Sequence, residues 1–485
     1  RQIMDWKNYE NLSMLSDFYE FTMMNGYLEN NMEDEYAYFD LYFRKIPDSG
    51  GFVIVAGLEE VVKYIQNLRF DEQDIEYFKS KNMFSDKFLD YLRNFKFECD
   101  VWAMPEGSVA FPNEPLMIVR GPAPQAQLIE TFALLSINHQ SLIATKTNRI
   151  VHAAEGRVVM EFGARRAQGV DATVLGARAA FIGGATATSN TLTDITYDVP
   201  AFGTMAHSWI MMFDSEYEAF KKYAEIFPNS CSFLVDTYNV LKSGVPNAIK
   251  VFDEVLKPRG IKNMSIRIDS GDLAYLSKQA RKMLDDAGYE NCQIMASNSL
   301  DEYTIADLIE QGAKLDGFGV GERLITAKSD PVLGGVYKLC AVEKPNGEII
   351  PKIKISENIE KITTPAFKTV YRIYDKNSGK AEADLITLHD EKIDETKDLE
   401  IFHPIHTWKR KTLTNFTTKE LLVRVFDKGE LVYDLPKLEE IIKRKNEQID
   451  EQWEEVKRFE HPHLFHVDLS QQLWDIKYNL LMQSK

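Results

Sequence analysis

One local design recurs along this chain: a short apolar run ends in polar or glycine residues and then leads into a helix-like stretch. Val158-Val159-Met160-Glu161-Phe162-Gly163 runs this way into Arg165-Arg166. Phe233-Leu234-Val235-Asp236, Ile266-Arg267-Ile268-Asp269-Ser270-Gly271-Asp272, Ile294-Met295-Ala296-Ser297-Asn298 and Phe318-Gly319-Val320-Gly321 repeat it. Gly203-Thr204-Met205-Ala206-His207-Ser208-Trp209 follows the same plan, with one histidine after a small-residue turn that reads as the end of a strand. Helical stretches such as Leu273 to Gly288 and Leu300 to Gly312 separate these runs. Such alternation calls for parallel strands joined by crossover helices. In a βα barrel, polar residues at the strand C-termini converge on one face and build an active site, so the order of the chain already suggests an enzyme.

The expected fold class is α/β, with a central irregular βα barrel and a mixed α/β domain formed from the N- and C-terminal parts. The texture of the sequence divides it into an N-terminal α/β domain at 1–135, the barrel at 136–345 and a C-terminal segment at 346–485 that packs on both. In the first part Phe18, Phe21, Thr22, Met23 and Gly26 follow a helical period, and Tyr36 to Phe43 alternates aromatic with small and polar residues as a strand does. The last part is more charged and less regular, with Lys352 to Ile355 and Phe402-His403-Pro404 as strands or loops and a Lys- and Glu-rich helix at about 436–459.

Charge narrows the partners. The formal net charge is −17, which disfavours a general nucleic-acid or anionic-membrane surface, because phosphate binding depends on clustered Lys and Arg. An anionic substrate would need a local basic pocket set against that charge. No apolar run approaches the roughly 18 residues of a membrane span, and Arg1 to Trp6 has no signal-like apolar region. Cys99, Cys231, Cys292 and Cys340 are far apart with no C-x-x-C pair, which fits a reducing cytoplasm better than a disulfide or zinc framework.

Several side chains are candidates for chemistry. A neutral imidazole at His207 can act as a base or as a nucleophile toward phosphorus. Arg165-Arg166 offers a guanidinium fork for carboxylate or phosphate. Arg267 and Asp269 are two residues apart and share one strand face, so together they could grip an anion and a polyol; a mutual salt bridge is the plainer alternative. Gly319-Val320-Gly321 and the Gly334-Gly335 turn offer backbone N–H groups of the kind that cradle phosphates. Gly317 to Glu322 fails the G-x-G-x-x-G pattern, so a dinucleotide fold is a poor reading. His461, His463 and His466, like His403 and His406, lack a ligand frame, and no resident metal site is expected.

Taken together, Leu15 to Met23, Glu161 to Gly169, Gly203 to Trp209, Arg267 to Asp272, Ala296-Ser297-Asn298 and Gly317 to Gly335 make the chain resemble the nicotinate phosphoribosyltransferase family of type II phosphoribosyltransferases. The resemblance implies transfer of phosphoribose from 5-phosphoribosyl-1-pyrophosphate to nicotinate, coupled to ATP hydrolysis through a phosphohistidine at His207, with Mg2+ present. It assigns Asp269 to the ribose hydroxyls, Arg267 to the pyridine carboxylate or phosphate, and Phe162 and Tyr19 to the ring. It adds Arg165, Thr204, Ser208 and Asn298 as substrate contacts and Gly319, Gly321, Gly334 and Gly335 as phosphate contacts. Because that tyrosine comes from the neighbouring subunit, a homodimer is implied. Two positions depart from the pattern. Glu322 puts an acid beside the phosphate loop, and Thr186 stands near where nicotinamide-using relatives carry an acid. The latter favours nicotinate over the alternative, nicotinamide.

Overall fold

The computed structural model describes residues 11–484. The N-terminal expectation about Arg1 to Trp6 therefore lies outside the described residues. The fold is mixed α/β and divides into two compact units, one formed by 1–142 with 332–485 and the other by 143–331.

The second unit holds a five-stranded sheet. Its strands are β1 (Val158–Glu161), β2 (Ser232–Leu234), β3 (Ser265–Ile268), β4 (Gln293–Ala296) and β5 (Gly317–Val320), in the spatial order β1-β5-β4-β3-β2. All of the pairings are parallel. Each strand is an apolar run predicted from sequence, as fits strands covered on both faces. Helices make the crossovers that parallel pairing needs. They include α1 (Val170–Gly183), α2 (His207–Met211), α3 (Leu273–Asp286) and α4 (Glu302–Glu310). Asp272 caps α3 by accepting from the Tyr275 amide, and Asp301 with Thr304 makes a capping box on α4, so both helix starts are written in local sequence.

Two single bridges extend the ladder beyond β1, Glu161 to Thr188 and Thr188 to Ala201, both parallel. After Ala201 the chain leaves ladder pairing. His207 accordingly opens helix α2, with Ala206 at its N-cap. This corrects the expectation that His207 ends a strand: the irregular run 202–206, not a strand, delivers it.

In the first unit, Tyr36–Tyr42 forms the expected strand, but its neighbours are antiparallel: Met117–Pro122 on one side and Val336–Glu343 on the other. The C-terminal part is more regular than its charge suggests. Lys368–Asp375 and Ala381–Leu388 are paired eight-residue strands in a four-stranded sheet, and the Lys- and Glu-rich helix is confined to Leu438–Asp450. Charge hid those strands because their ionic side chains are buried in pairs: Lys368 lies 2.8 Å from Asp40, and Arg372 grips Asp384 through two nitrogens at 2.8 and 2.9 Å. No helix among the described residues is long and apolar enough to cross a membrane.

Candidate active site

Side chains at the C-terminal ends of the parallel strands face one cavity of about 710 Å³ in the second unit. Period-two alternation explains the selection: Met160 and Phe162 point inward from β1, and Arg267 and Asp269 from β3. A second cavity of about 260 Å³ shares Phe162, Arg165, Arg267, Asp269 and Gly319 with the first. The larger cavity also runs back along the sheet to Asn229, Asn263 and Gln293, near the strand starts.

The smaller cavity is cationic. Arg165, Arg166, Arg267, Arg323 and Lys328 line it, a local concentration of positive charge against the net −17. Arg323 is held 3.1 Å from Asp301, the residue that caps α4. Glu322 does not oppose this field unchecked: it pairs with Lys328 at 3.0 Å, which also lowers its carboxyl pKa. Asn298, on the same wall, adopts a left-handed backbone with φ of 84°, a conformation that costs energy outside glycine and clusters at functional sites.

His207 sits between three partners. Its Nδ1 is 3.0 Å from Thr237 Oγ1, and its Nε2 is 3.4 Å from Asp269 Oδ2 and 3.9 Å from Asp236 Oδ1. Ser297 donates its hydroxyl to the other oxygen of Asp269. Asp236 is nearly fully buried, and its Oδ2 accepts from the Asp269 amide and the Ser270 hydroxyl. Among the described residues its Oδ1 has no hydrogen-bond partner, and an unfilled buried acceptor is costly. His207, Asp236 and Asp269 offer ligand atoms within 4.8 Å of one another, a grouping able to hold a metal ion that the sequence reading did not assemble.

Arg267 donates from Nη2 to the Met205 carbonyl at 2.7 Å, so it braces the His207 segment rather than closing on Asp269. Burial lowers its pKa, and nearby Asp269 works against that shift. Thr204 lines the larger cavity and donates to the Ser232 carbonyl at 3.2 Å. Gly319 has a clear steric reason: a Cβ there would lie 2.4 Å from the Phe162 ring, so glycine lets the ring lie across β5. Gly321 lines the smaller cavity.

Other expected residues fall elsewhere. Ser208 is exposed and lines neither cavity. Tyr19, Gly334 and Gly335 belong to the first unit. Tyr19 is 44% exposed, and Gly335 already donates its amide to Asn138 at 2.8 Å. Thr186 is absent from both cavity linings; its hydroxyl turns to the Val159 carbonyl, and Ser189 reaches the larger cavity instead. Thr186 is therefore not placed to select nicotinate. Sequence reading missed Asp236, Thr237, Ser297, Arg323 and Lys328 as site residues. Asp236 was findable, since it closes its apolar run as Asp269 closes the next.

Fold and cavity together are those of an enzyme: parallel strands, a cationic wall, and a histidine set against carboxylates. Models of the nicotinate phosphoribosyltransferase family match the chain in three parts, the N-terminal domain at 14–138, the family core at 158–375 and the C-terminal domain at 367–477. The nicotinate phosphoribosyltransferase of Bacillus subtilis (strain 168) is 44% identical over 476 residues, covering 98% of this chain and 96% of the relative. The crystal structure of human nicotinic acid phosphoribosyltransferase superposes with a TM-score of 0.84 at 28% identity, over 96% of this chain and 99% of that one. A nicotinate-nucleotide pyrophosphorylase structure from Pyrococcus furiosus, at 24% identity and a TM-score of 0.69 over 93% of this chain and 98% of that one, shares the fold. The chain belongs to the nicotinate phosphoribosyltransferase family.

Proposed function

We propose that this chain joins the ring nitrogen of nicotinate to ribose C1 of 5-phosphoribosyl-1-pyrophosphate, releases pyrophosphate, and couples the reaction to ATP hydrolysis through transient phosphorylation of His207. The observation that carries the reading is the meeting of His207, Asp269, Arg267, Phe162 and Arg165 around one cavity. As the C1–oxygen bond breaks, positive charge grows on the ribose and negative charge on the leaving pyrophosphate. Asp269 is placed to hold ribose hydroxyls and oppose the first. Arg165, Arg166, Arg323 and Lys328 oppose the second, with no reorganisation at the moment of reaction. Phe162 supplies a flat face for the pyridine ring. Arg267 or Arg165 takes its carboxylate, and a charge-assisted bond of that kind contributes about 1.5–3 kcal/mol. The arginine that takes the carboxylate, rather than Thr186, favours nicotinate over the neutral nicotinamide.

In the ATP half-reaction, carboxylates on the Nε2 edge keep a proton there and leave the Nδ1 lone pair to attack the γ-phosphorus. The new N–P bond displaces ADP, and Asp236 and Asp269 offset the charge the ring gains. Water later cleaves that bond to release phosphate. Magnesium fits the same place, because it prefers oxygen ligands and the buried Asp236 Oδ1 beside Asp269 accepts no hydrogen bond among the described residues. When bound, it would neutralise phosphate charge.

The rest of the reading follows from the family and from local contacts. The bridges through Thr188 and Ala201, with Thr204 bonded to Ser232, support closure of the sheet into an irregular βα barrel. Exposed Tyr19 suits a homodimer in which it completes the other subunit's site. The free thiols Cys99, Cys231, Cys292 and Cys340 suit the cytoplasm.

His207→Ala tests the coupling. The variant keeps the wild-type melting profile and loses the stimulation of nicotinate mononucleotide formation by ATP. An unchanged ATP response would remove the phosphohistidine from the account.

A further inference from the structure

We propose that Glu161 is a positioning residue for the nicotinate site: through Gly163 and Thr188, its carboxylate fixes the walls that carry Phe162, Arg165 and Ser189. This rests on the activity proposed above and names a residue the mechanism did not use. Glu161 ends β1 with its side chain on the face opposite Phe162, is fully buried, and lines neither cavity. Among the described residues no lysine or arginine pairs with it. Instead one carboxylate oxygen accepts from the Gly163 amide at 2.8 Å and the other from the Thr188 hydroxyl at 3.1 Å.

Both contacts lead to the cavity. Gly163 opens the turn Ala164–Arg166, and its own space is closed, since a Cβ would lie 2.7 Å from Ile325 and 2.8 Å from the Gly321 carbonyl. Thr188 is equally buried and accepts from the Asn190 amide at 3.1 Å. Its backbone bonds to Pro200 and Phe202 on the segment that leads to His207, and the next residue, Ser189, returns its amide to the Glu161 carbonyl. One carboxylate thus ties together two cavity walls whose residues are far apart in sequence.

An unpaired buried carboxylate is an expensive way to hold a fold, and an apolar side chain of similar volume would cost less. What it supplies is geometry: two oxygens accept two donors at once and lock the turn after β1 in one place. Ring and carboxylate contacts form before the chemical step and persist through it. Loosening them therefore weakens ground and transition states alike, which raises KM and leaves kcat nearly unchanged.

Steady-state kinetics with thermal melts test this on Glu161→Ala, Glu161→Gln and Thr188→Val proteins. Glu161→Ala raises the nicotinate KM about tenfold or more while kcat moves less than about threefold. Glu161→Gln keeps an oxygen for Gly163 and an amide donor for Thr188, so it restores KM to within about threefold of wild type. Thr188→Val falls between them and decides the matter should the alanine variant fail to fold. A nicotinate KM unmoved in both the Glu161→Ala and Thr188→Val proteins overturns the proposal. So does a Gln variant as impaired as the Ala variant, or a loss of melting temperature and kcat with KM unchanged, the mark of a merely structural group. A wild-type protein that makes no nicotinate mononucleotide would instead defeat the activity reading itself.

Discussion

Arg372 and Lys368 in one unit, and Asp236 and Glu161 in the other, show two ways of holding buried charge. In the unit built from 1–142 and 332–485, Arg372 spends its guanidinium on both oxygens of Asp384 and on the Val109 carbonyl, and Lys368 meets Asp40 together with three backbone carbonyls. In the 143–331 unit, Asp236 keeps one buried oxygen unfilled, and Glu161 is held without a cation. A saturated buried pair holds strands together. A buried acid with spare capacity beside a cavity is available for chemistry. The lesson from these four groups is that a paired cation, more than burial, separates structural charge from charge placed beside the site.

The largest effect that could break this contrast is expected at Asp384. Asp384→Ala strands Arg372 in the core, and removing one partner of a buried pair costs about 3–5 kcal/mol. Denaturant unfolding should report that loss, while the nicotinate KM of the folded protein stays at the wild-type value. A shifted KM with little loss of stability would reverse the assignment. A smaller effect tests the site unit's own scaffolding. Ser215 caps the helix Glu216–Ile226 by accepting from the Glu218 amide at 3.1 Å. Ser215→Ala should cost about 1 kcal/mol in a thermal melt and leave ATP stimulation intact.

A pH dependence sharpens the contrast at Glu20, a buried acid of the first unit held without a cation among the described residues. Glu20 is fully buried and accepts twice from Thr131 through Oε1; burial pushes its pKa up to about 8. The folded state therefore holds a proton that the unfolded state has already lost between the ordinary carboxylate value and pH 8. Stability falls as pH rises through that window and levels off above it. Glu20→Gln abolishes this slope, so its melting temperature should gain on wild type more at pH 8 than at pH 5. Parallel melting curves against pH would show that Glu20 is ionised and compensated.

Legibility in the sequence followed the same divide. The five parallel strands could be read because each is a contiguous apolar run, and Asp269 and Arg267 sit where such a strand delivers side chains. Tyr36–Tyr42 could be read from its alternation, but its partner Val336–Glu343 could not. Tyr36 pairs with Glu343, and nothing local encodes a contact across that separation. Lys368–Asp375 and Ala381–Leu388 were obscured because Lys368, Arg372 and Asp384 look like surface residues until their partners are seen. At the site, His207 was found by its surroundings in sequence but misplaced at a strand end. Asp236 and Thr237 were passed over because their value lies in reaching His207 across thirty or so residues of chain. Thr186 shows the opposite error: it is near in sequence, yet its hydroxyl turns away to a backbone carbonyl.

The most direct test of the account is a mass-spectrometric competition. Purified protein receives phosphoribosyl pyrophosphate, magnesium and equal nicotinate and nicotinamide, with and without ATP. The cationic cavity and the carboxylate-flanked His207 predict nicotinate mononucleotide as the sole product, formed faster when ATP is present. Nicotinamide mononucleotide, or a product yield indifferent to ATP, would contradict it.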